Sequence, residues 1–355
     1  MLKRLLTKFL PLLVGAMVIA IGITQFTTTQ ATTTFSYAVT DLGTLGGDKS
    51  VAYDLNDSAQ AVGYSTINSG SRTNAVLWSN GTLTDLKQAG GIPYNYAVAI
   101  NNAGQVVCNI QFGSLTGGRI PYIWQNGNVT NIFQSNQSGY ATAINNVGQV
   151  VGWDVSQSAF IWQNGSTTYL NSLGDNTSNN NDRALNINNK GQIVGYASTS
   201  NGNQLHAVLW ENNTVTDLGT LPGGSNSEAL GINNASKIVG WSETSSGVQH
   251  AVSWKNNQIT DLGTLDGNAT KATDINNRGT IVGYSFTINN YLEVPLHPFV
   301  SRNGRMVDLN NLLAANSGWE LNAAYAINNQ GQIVGSGQKD GQTRAFLLTP
   351  VRVTR

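Results

Sequence analysis

The chain has 355 residues, 40% of them hydrophobic and only 11% charged, with a formal net charge of zero and a single Cys. It is too apolar and too weakly charged for a disordered chain, and it is long enough to bury a sizeable core. The balanced charge leaves no basic stripe for nucleic-acid phosphates, and one thiol permits neither an internal disulfide nor a Cys-rich metal site.

Residues 1–31 carry Lys3, Arg4 and Lys8, an apolar run from Phe9 to about Ile23, and a Thr- and Gln-rich stretch ending at Ala31. This is the layout of a secretory signal peptide cleaved after Ala31. The alternative is an uncleaved anchor, although the run is shorter than the roughly 20 residues of a spanning helix. Either way residues 32–355 are expected to leave the cytoplasm, as a secreted, extracellular or periplasmic protein. Attachment to a membrane is expected only if the leader is retained.

The rest of the chain repeats. One phrase recurs seven times, for example AINNVGQVVGW from Ala143, NINNKGQIVGY from Asn186 and DINNRGTIVGY from Asp274. Its first Asn falls at 56, 101, 145, 188, 233, 276 and 328. A second phrase of the type AVLW follows each copy, and a third, VTDLGTL, is clearest at Asp85, Asp217 and Asp261. Each repeat reads as four short strands: A (AxxIN), B (QIVGY), C (AVLW) and D (VTDLGTL). The NNxG and NG turns between them supply residues that tolerate positive φ, and they account for much of the 39 Gly and 44 Asn. Four strands in about 45 residues match a β-propeller blade. The seventh copy lacks its third phrase, which stands instead at the other end as YAVTDLGTLGG from Tyr37. The expected fold is therefore all-β: a seven-bladed propeller of four-stranded antiparallel blades. The N-terminal strand pairs into the last blade and closes the ring. A β-solenoid, the rival architecture, has no reason to displace one strand to the opposite terminus.

The phrases DINNRGTIVGYS, LHAVLWENNTVTDLGTLPGG and QHAVSWKNNQITDLGTLDGN resemble the HAF-type extracellular repeat of secreted bacterial proteins. The resemblance covers residues 37–350 and implies export and a repeat fold, but no particular reaction. Departures are Asn-Asp at 56–57, Cys108 for Gly, and Ser301 and Leu348 for Trp.

Repetition assigns most of the distinctive residues to structure. His206, His250 and His297 share one register before strand C, too far apart on separate blades to bind one metal ion. The DL aspartates are expected to bond a turn or a neighbouring strand. The strand-C tryptophans and the strand-A alanines are expected to pack between blades. Cys108 reads as a buried free thiol. The Asx-rich loop 174–183 is a weak Ca²⁺ candidate without EF-hand spacing. No metal or cofactor is otherwise expected.

Function is expected where the repeat breaks. The B–C and D–A loops vary widely and share one face, where variable loops on a rigid scaffold carry binding. The residues before the repeated Ala should ring the channel mouth on that face; among them are Tyr96, Tyr140, Arg183, Glu228 and Lys271. Trp319, Tyr291 and Tyr94 lie in the longest loops on the same side. Aromatic rings with amides and a few charges suit a glycan or an extracellular surface protein, bound by a monomer without catalysis. Two other readings stay open. One is a polysaccharide lyase or hydrolase using Glu228, Lys271 and Arg183, with Asp182 nearby. The other is a structural envelope or matrix component.

Overall fold

Alternating apolar and polar residues broken by Asn-Gly pairs leave little choice but short antiparallel strands. In the computed structural model, regular structure among the described residues consists of strands and one short 3-10 turn at Leu309–Leu312. The structure describes residues 34–68, 72–86, 94–111, 119–133, 137–156, 158–174, 181–200, 204–289 and 292–353. The leader, Tyr291 and the central part of loop 174–183 lie outside the described residues.

Strand A of repeats one to seven is Ser50–Leu55, Tyr94–Ile100, Gly139–Ile144, Arg183–Ile187, Ser227–Ile232, Ala269–Ile275 and Trp319–Ile327. Strand B is Ala61–Thr66, Val106–Gln111, Val150–Asp154, Ile193–Ser198, Ile238–Glu243, Ile281–Asn289 and Ile333–Lys339. A pairs with B, B with C, and C with D, always antiparallel; the third repeat shows the pattern in full. Repeats three to seven each form a four-stranded sheet. A single parallel pairing, Thr73 with Tyr94, joins the first two repeats into an eight-stranded sheet. In the seventh repeat the fourth strand is Thr34–Asp41, which pairs with Gln342–Val353 from the far end of the chain.

Two backbone devices set this geometry. The C–D turns place Asn-Gly or Asn-Asn pairs at positive φ, as at Asn164 (48°) and Gly165 (85°), which two-residue hairpins require. Strand A carries a bulge, between Ala141 and Ala143 in the third repeat, that drives its backbone onto strand B. A Cβ at Gly152 would lie 1.8 Å from the Tyr140 carbonyl oxygen, so this strand-B position is Gly in six repeats. In the second repeat Cys108 occupies it, fully buried with its thiol pushed up to about 12 by burial.

The core lies between neighbouring sheets. Ala99, Val107 and Ile123 of the second repeat pack on Ile144, Val150, Phe160 and Trp162 of the third. Val194 and Ala207 of the fourth meet Ile232, Ile238 and Trp254 of the fifth. Ala326, Val334 and Ala345 of the seventh meet Ala52, Leu55 and Trp78 of the first. Trp254 is fully buried, and burying a side chain of this size contributes about 3 kcal/mol. The strand-A alanines are 0–1% exposed because a larger side chain would have no room between sheets.

Candidate functional site: the aromatic mouth

Strand A presents two different ends. At the A–B turns, the first Asn of each repeat is buried, and its amide Nδ2 donates to the main-chain oxygen of the matching Asn in the next repeat. The chain of bonds runs 56 to 101, 145, 188, 233, 276 and 328, and from Asn328 back to Asn56, all at 3.0–3.1 Å. The following residue adds a second circuit. Each N–H donates to the side-chain oxygen of its counterpart in the next repeat at 2.9–3.0 Å, from Asp57 through Asn329 and back to Asp57.

Behind these turns a cavity of about 310 Å³ is lined by strand-A residues of every repeat. Two half-buried carboxyls border it. Asp54 accepts from the N–H groups of Leu55 and of Ile100 in the next repeat, and Asp274 does the same with Ile275 and Ile327. Burial outweighs those bonds and raises Asp54 to about 7 and Asp274 to about 6.

The other end is aromatic. Tyr53 lies 5.8 Å from Tyr64 (centroid to centroid), and Tyr64 lies 6.4 Å from Tyr96. The Arg119 guanidinium sits 4.1 Å from the Tyr140 ring, which stacks on Trp153 at 4.6 Å and 18°. Arg183 lies 4.7 Å from Trp153 and 5.7 Å from Tyr196. Glu228 accepts from Trp241 Nε1 at 3.1 Å. Lys271 lies 5.1 Å from Tyr284, Tyr284 5.8 Å from Tyr325, and Tyr325 5.4 Å from Tyr53. A pocket of about 500 Å³ opens here, lined by Tyr53, Tyr64, Tyr284, Tyr325, Glu293 and Gln338 among others. Its wall at Glu293–Pro295 comes from the long B–C hairpin of the sixth repeat, Ile281–Asn289 paired with Leu292–Arg302.

Charges at this end are set by burial and by one another. Burial raises the Glu228 carboxyl, opposed by the Trp241 hydrogen bond and by the charges of Lys271 and Arg183. Lys271 is ion-paired with Glu293. Tyr196 is raised by burial and by Glu228.

Tyr96, Tyr140, Arg183, Glu228 and Lys271 thus stand at this aromatic end. Trp319 stands apart: it opens strand A of the seventh repeat and packs edge-on against Phe346 at 6.2 Å, with Lys339 5.7 Å from its ring. Asp182 is buried and held by Ser172 and by the Ser198 N–H, and burial raises it. The aromatic residue that follows the strand-B Gly (Tyr64, Trp153, Tyr196, Trp241, Tyr284) supplies their partner rings and was not singled out in the sequence. Its signal is the recurrence of GY or GW in one register.

The histidines bond within their own sheets. His206 Nδ1 lies 2.8 Å from Asp217, His250 3.0 Å from Asp261, and His297 3.3 Å from Asp308, joining strand C to the DL carboxylate of strand D. The same carboxylates accept the N–H two residues on, at Gly219 and Gly263. Among the described residues no group of three His, Cys, Asp or Glu is placed to hold a metal ion. No described helix is long and apolar enough to cross a membrane.

No protein-family model matches the sequence, and no curated protein does. Solved structures do match. YCF48 bound to D1 peptide is 12% identical over 90% of this chain and 96% of that one, with a TM-score of 0.50. The β-propeller domain of the Trilobed protease from Pyrococcus furiosus is 8% identical over 90% and 96%, also at 0.50. The fold is that of a β-propeller. TolB from Acinetobacter baumannii is matched at 12% identity and a TM-score of 0.41, and this propeller spans 66% of its length.

Proposed function

We propose that the chain is an exported, seven-bladed, ring-closed propeller of the HAF type that binds a glycan at its aromatic mouth and releases it unchanged. Closure is supported by the pairing of Thr34–Asp41 with Gln342–Val353 and by the Asn328–Asn56 and Asn329–Asp57 bonds. The observation that carries the binding function is the set of aromatic side chains at this end, interleaved with Arg119, Arg183, Glu228 and Lys271. Rings edged by amides and carboxyls offer apolar faces for the C–H side of a sugar and polar groups for its hydroxyls. The pocket of about 500 Å³ lies within the roughly 300–1,000 Å³ typical of small-ligand sites.

Catalysis is the second reading, favoured by Glu228 and its raised carboxyl facing two cations. Hydrolysis of a glycoside calls for two carboxyls flanking the bond, and Asp182 is committed to Ser172 and Ser198. A glycan-array screen of the purified chain, coupled to product analysis, tests both. Trp153→Ala and Tyr284→Ala should each weaken glycan binding by about tenfold, the scale of one lost aromatic contact. Unchanged affinity would contradict the site, shortened or unsaturated products would establish the enzyme, and binding to surface proteins alone would replace the glycan.

A further inference from the structure

We infer that the mouth selects an anionic sugar, whose carboxylate or sulfate is taken by the guanidinium groups of Arg119 and Arg183. The inference rests on the glycan reading above and names the ligand class. Its basis is a stack drawn from three successive repeats: Arg119 against Tyr140, Tyr140 against Trp153, and Trp153 against Arg183, at 4.1, 4.6 and 4.7 Å. The stack is anchored from below. Ser138, two residues before Tyr140, accepts from the Arg119 N–H at 2.7 Å and donates to its carbonyl at 2.9 Å.

Stacking occupies the flat faces of a guanidinium and leaves its N–H groups pointing outward in the plane, where they match a carboxylate or sulfate. Among the described residues neither guanidinium lies within ion-pair distance of a carboxylate. The Nε of Arg183 is buried without a hydrogen-bond partner among those residues. The carboxyls near this arc are otherwise engaged: Glu228 by Trp241, and Glu293 by Lys271. Farther round, Lys49 lies 5.9 Å from the Tyr64 ring and adds a further cation to the mouth, beside Lys271. A chain with no net charge therefore gathers four cations, Lys49, Arg119, Arg183 and Lys271, against two carboxyls, Glu228 and Glu293, where its aromatic rings are. A neutral sugar gains only the ring contacts. An anionic one gains charge-assisted hydrogen bonds as well.

The test is calorimetric titration of the full chain with three tetrasaccharides: oligogalacturonate, its carboxyl-reduced neutral counterpart, and a κ-carrageenan fragment carrying sulfate without uronate. At least one anionic ligand should bind about tenfold or more tighter than the neutral one, as expected for charged hydrogen bonds, and the preference should shrink with added salt. Whichever anionic arm binds identifies the source of the charge. Arg119→Gln with Arg183→Gln should abolish the preference, whereas Arg119→Lys with Arg183→Lys should keep its salt-sensitive part. Equal affinity for neutral and anionic ligands, or a preference that survives the Gln pair, overturns this inference and leaves glycan binding standing. Failure of all three to bind, in a chain that also binds nothing on the glycan array, removes both. Should the Gln pair fail to fold, the Lys pair and the ligand comparison on the unaltered chain still decide.

Discussion

The A–B turn end and the aromatic end of this propeller are built by the same strands from the same repeats, yet they obey different rules. At the turn end the first Asn is present in all seven repeats, is 2–5% exposed, and makes the same bonds each time. At the mouth the equivalent positions hold Tyr, Arg, Glu, Lys, Val or Ala, and strand B answers with Tyr, Trp, Asn or Ser. Uniformity marks the end whose task is to hold each sheet to the next. Variation around a fixed aromatic theme marks the end where the ligand site is proposed. The second repeat sharpens the contrast, because there Asn109 replaces the aromatic residue and instead bonds Ala141 of the next repeat through both its amide atoms.

If the turn end and the bulge beneath it carry stability, they should be the costliest places to alter. Gly152→Ala sets a Cβ 1.8 Å from the Tyr140 carbonyl oxygen, so strand A must move locally to admit it, as the same A–B register admits Cys108 in the second repeat. A loss above about 3 kcal/mol is expected in denaturant unfolding, and a loss below about 1 kcal/mol would show that the bulge relaxes freely. Next comes Asn145→Ala. It removes donation to Asn188 and Gln149 and acceptance from the N–H groups of Val147 and Gln149, leaving buried groups unpaired. The expected cost is about 2–3 kcal/mol, with ligand affinity at the mouth untouched. A cost near zero would mean that sheet packing alone holds the repeats together.

The smallest effect concerns the channel between the two ends. The folded-state values of Asp54 and Asp274, about 7 and about 6, lie above the ordinary 3.8. The folded protein thus keeps protons that the unfolded chain has released. Their contribution is full below pH 3.8 and is lost as pH rises through about 7. Asp54→Asn with Asp274→Asn should therefore flatten the fall of thermal midpoint over that window, relative to the unaltered chain. Asn186 already occupies this register, accepting from Ile187 and donating to Leu230, so the fold accommodates the change. A steeper fall in the variant would show that the two carboxyls are ionised and held by their backbone bonds.

Much of this was legible in residues whose role repeats. Four-stranded repeats, the displaced DLGTL strand, the alanines and the tryptophans follow from period and turn chemistry alone, because each repeat solves the same packing problem. The mouth was half legible. Tyr96, Tyr140, Arg183, Glu228 and Lys271 could be placed by counting from the repeated Ala, but their partners on strand B looked like ordinary strand formers. A bulge in strand A decides which way those residues turn, and it leaves no mark in composition. Trp319 shows the limit of loop reasoning. Strand A of the seventh repeat runs to nine residues with a second register shift between Leu321 and Ala323, and the indole packs on Phe346. The His–Asp pairs were foreseeable only as something repeated, since the partner lies eleven residues away across a hairpin.

The most direct test of the division between the two ends is amide hydrogen exchange of the intact protein, with and without the tightest-binding oligosaccharide from the array. New protection is predicted around Ser138–Tyr140, Trp153–Asp154, Tyr196–Ser198, Trp241–Glu243 and Tyr284–Phe286, with the seven Asn turns unchanged. Protection confined to those turns, or spread evenly over both ends, would contradict the account.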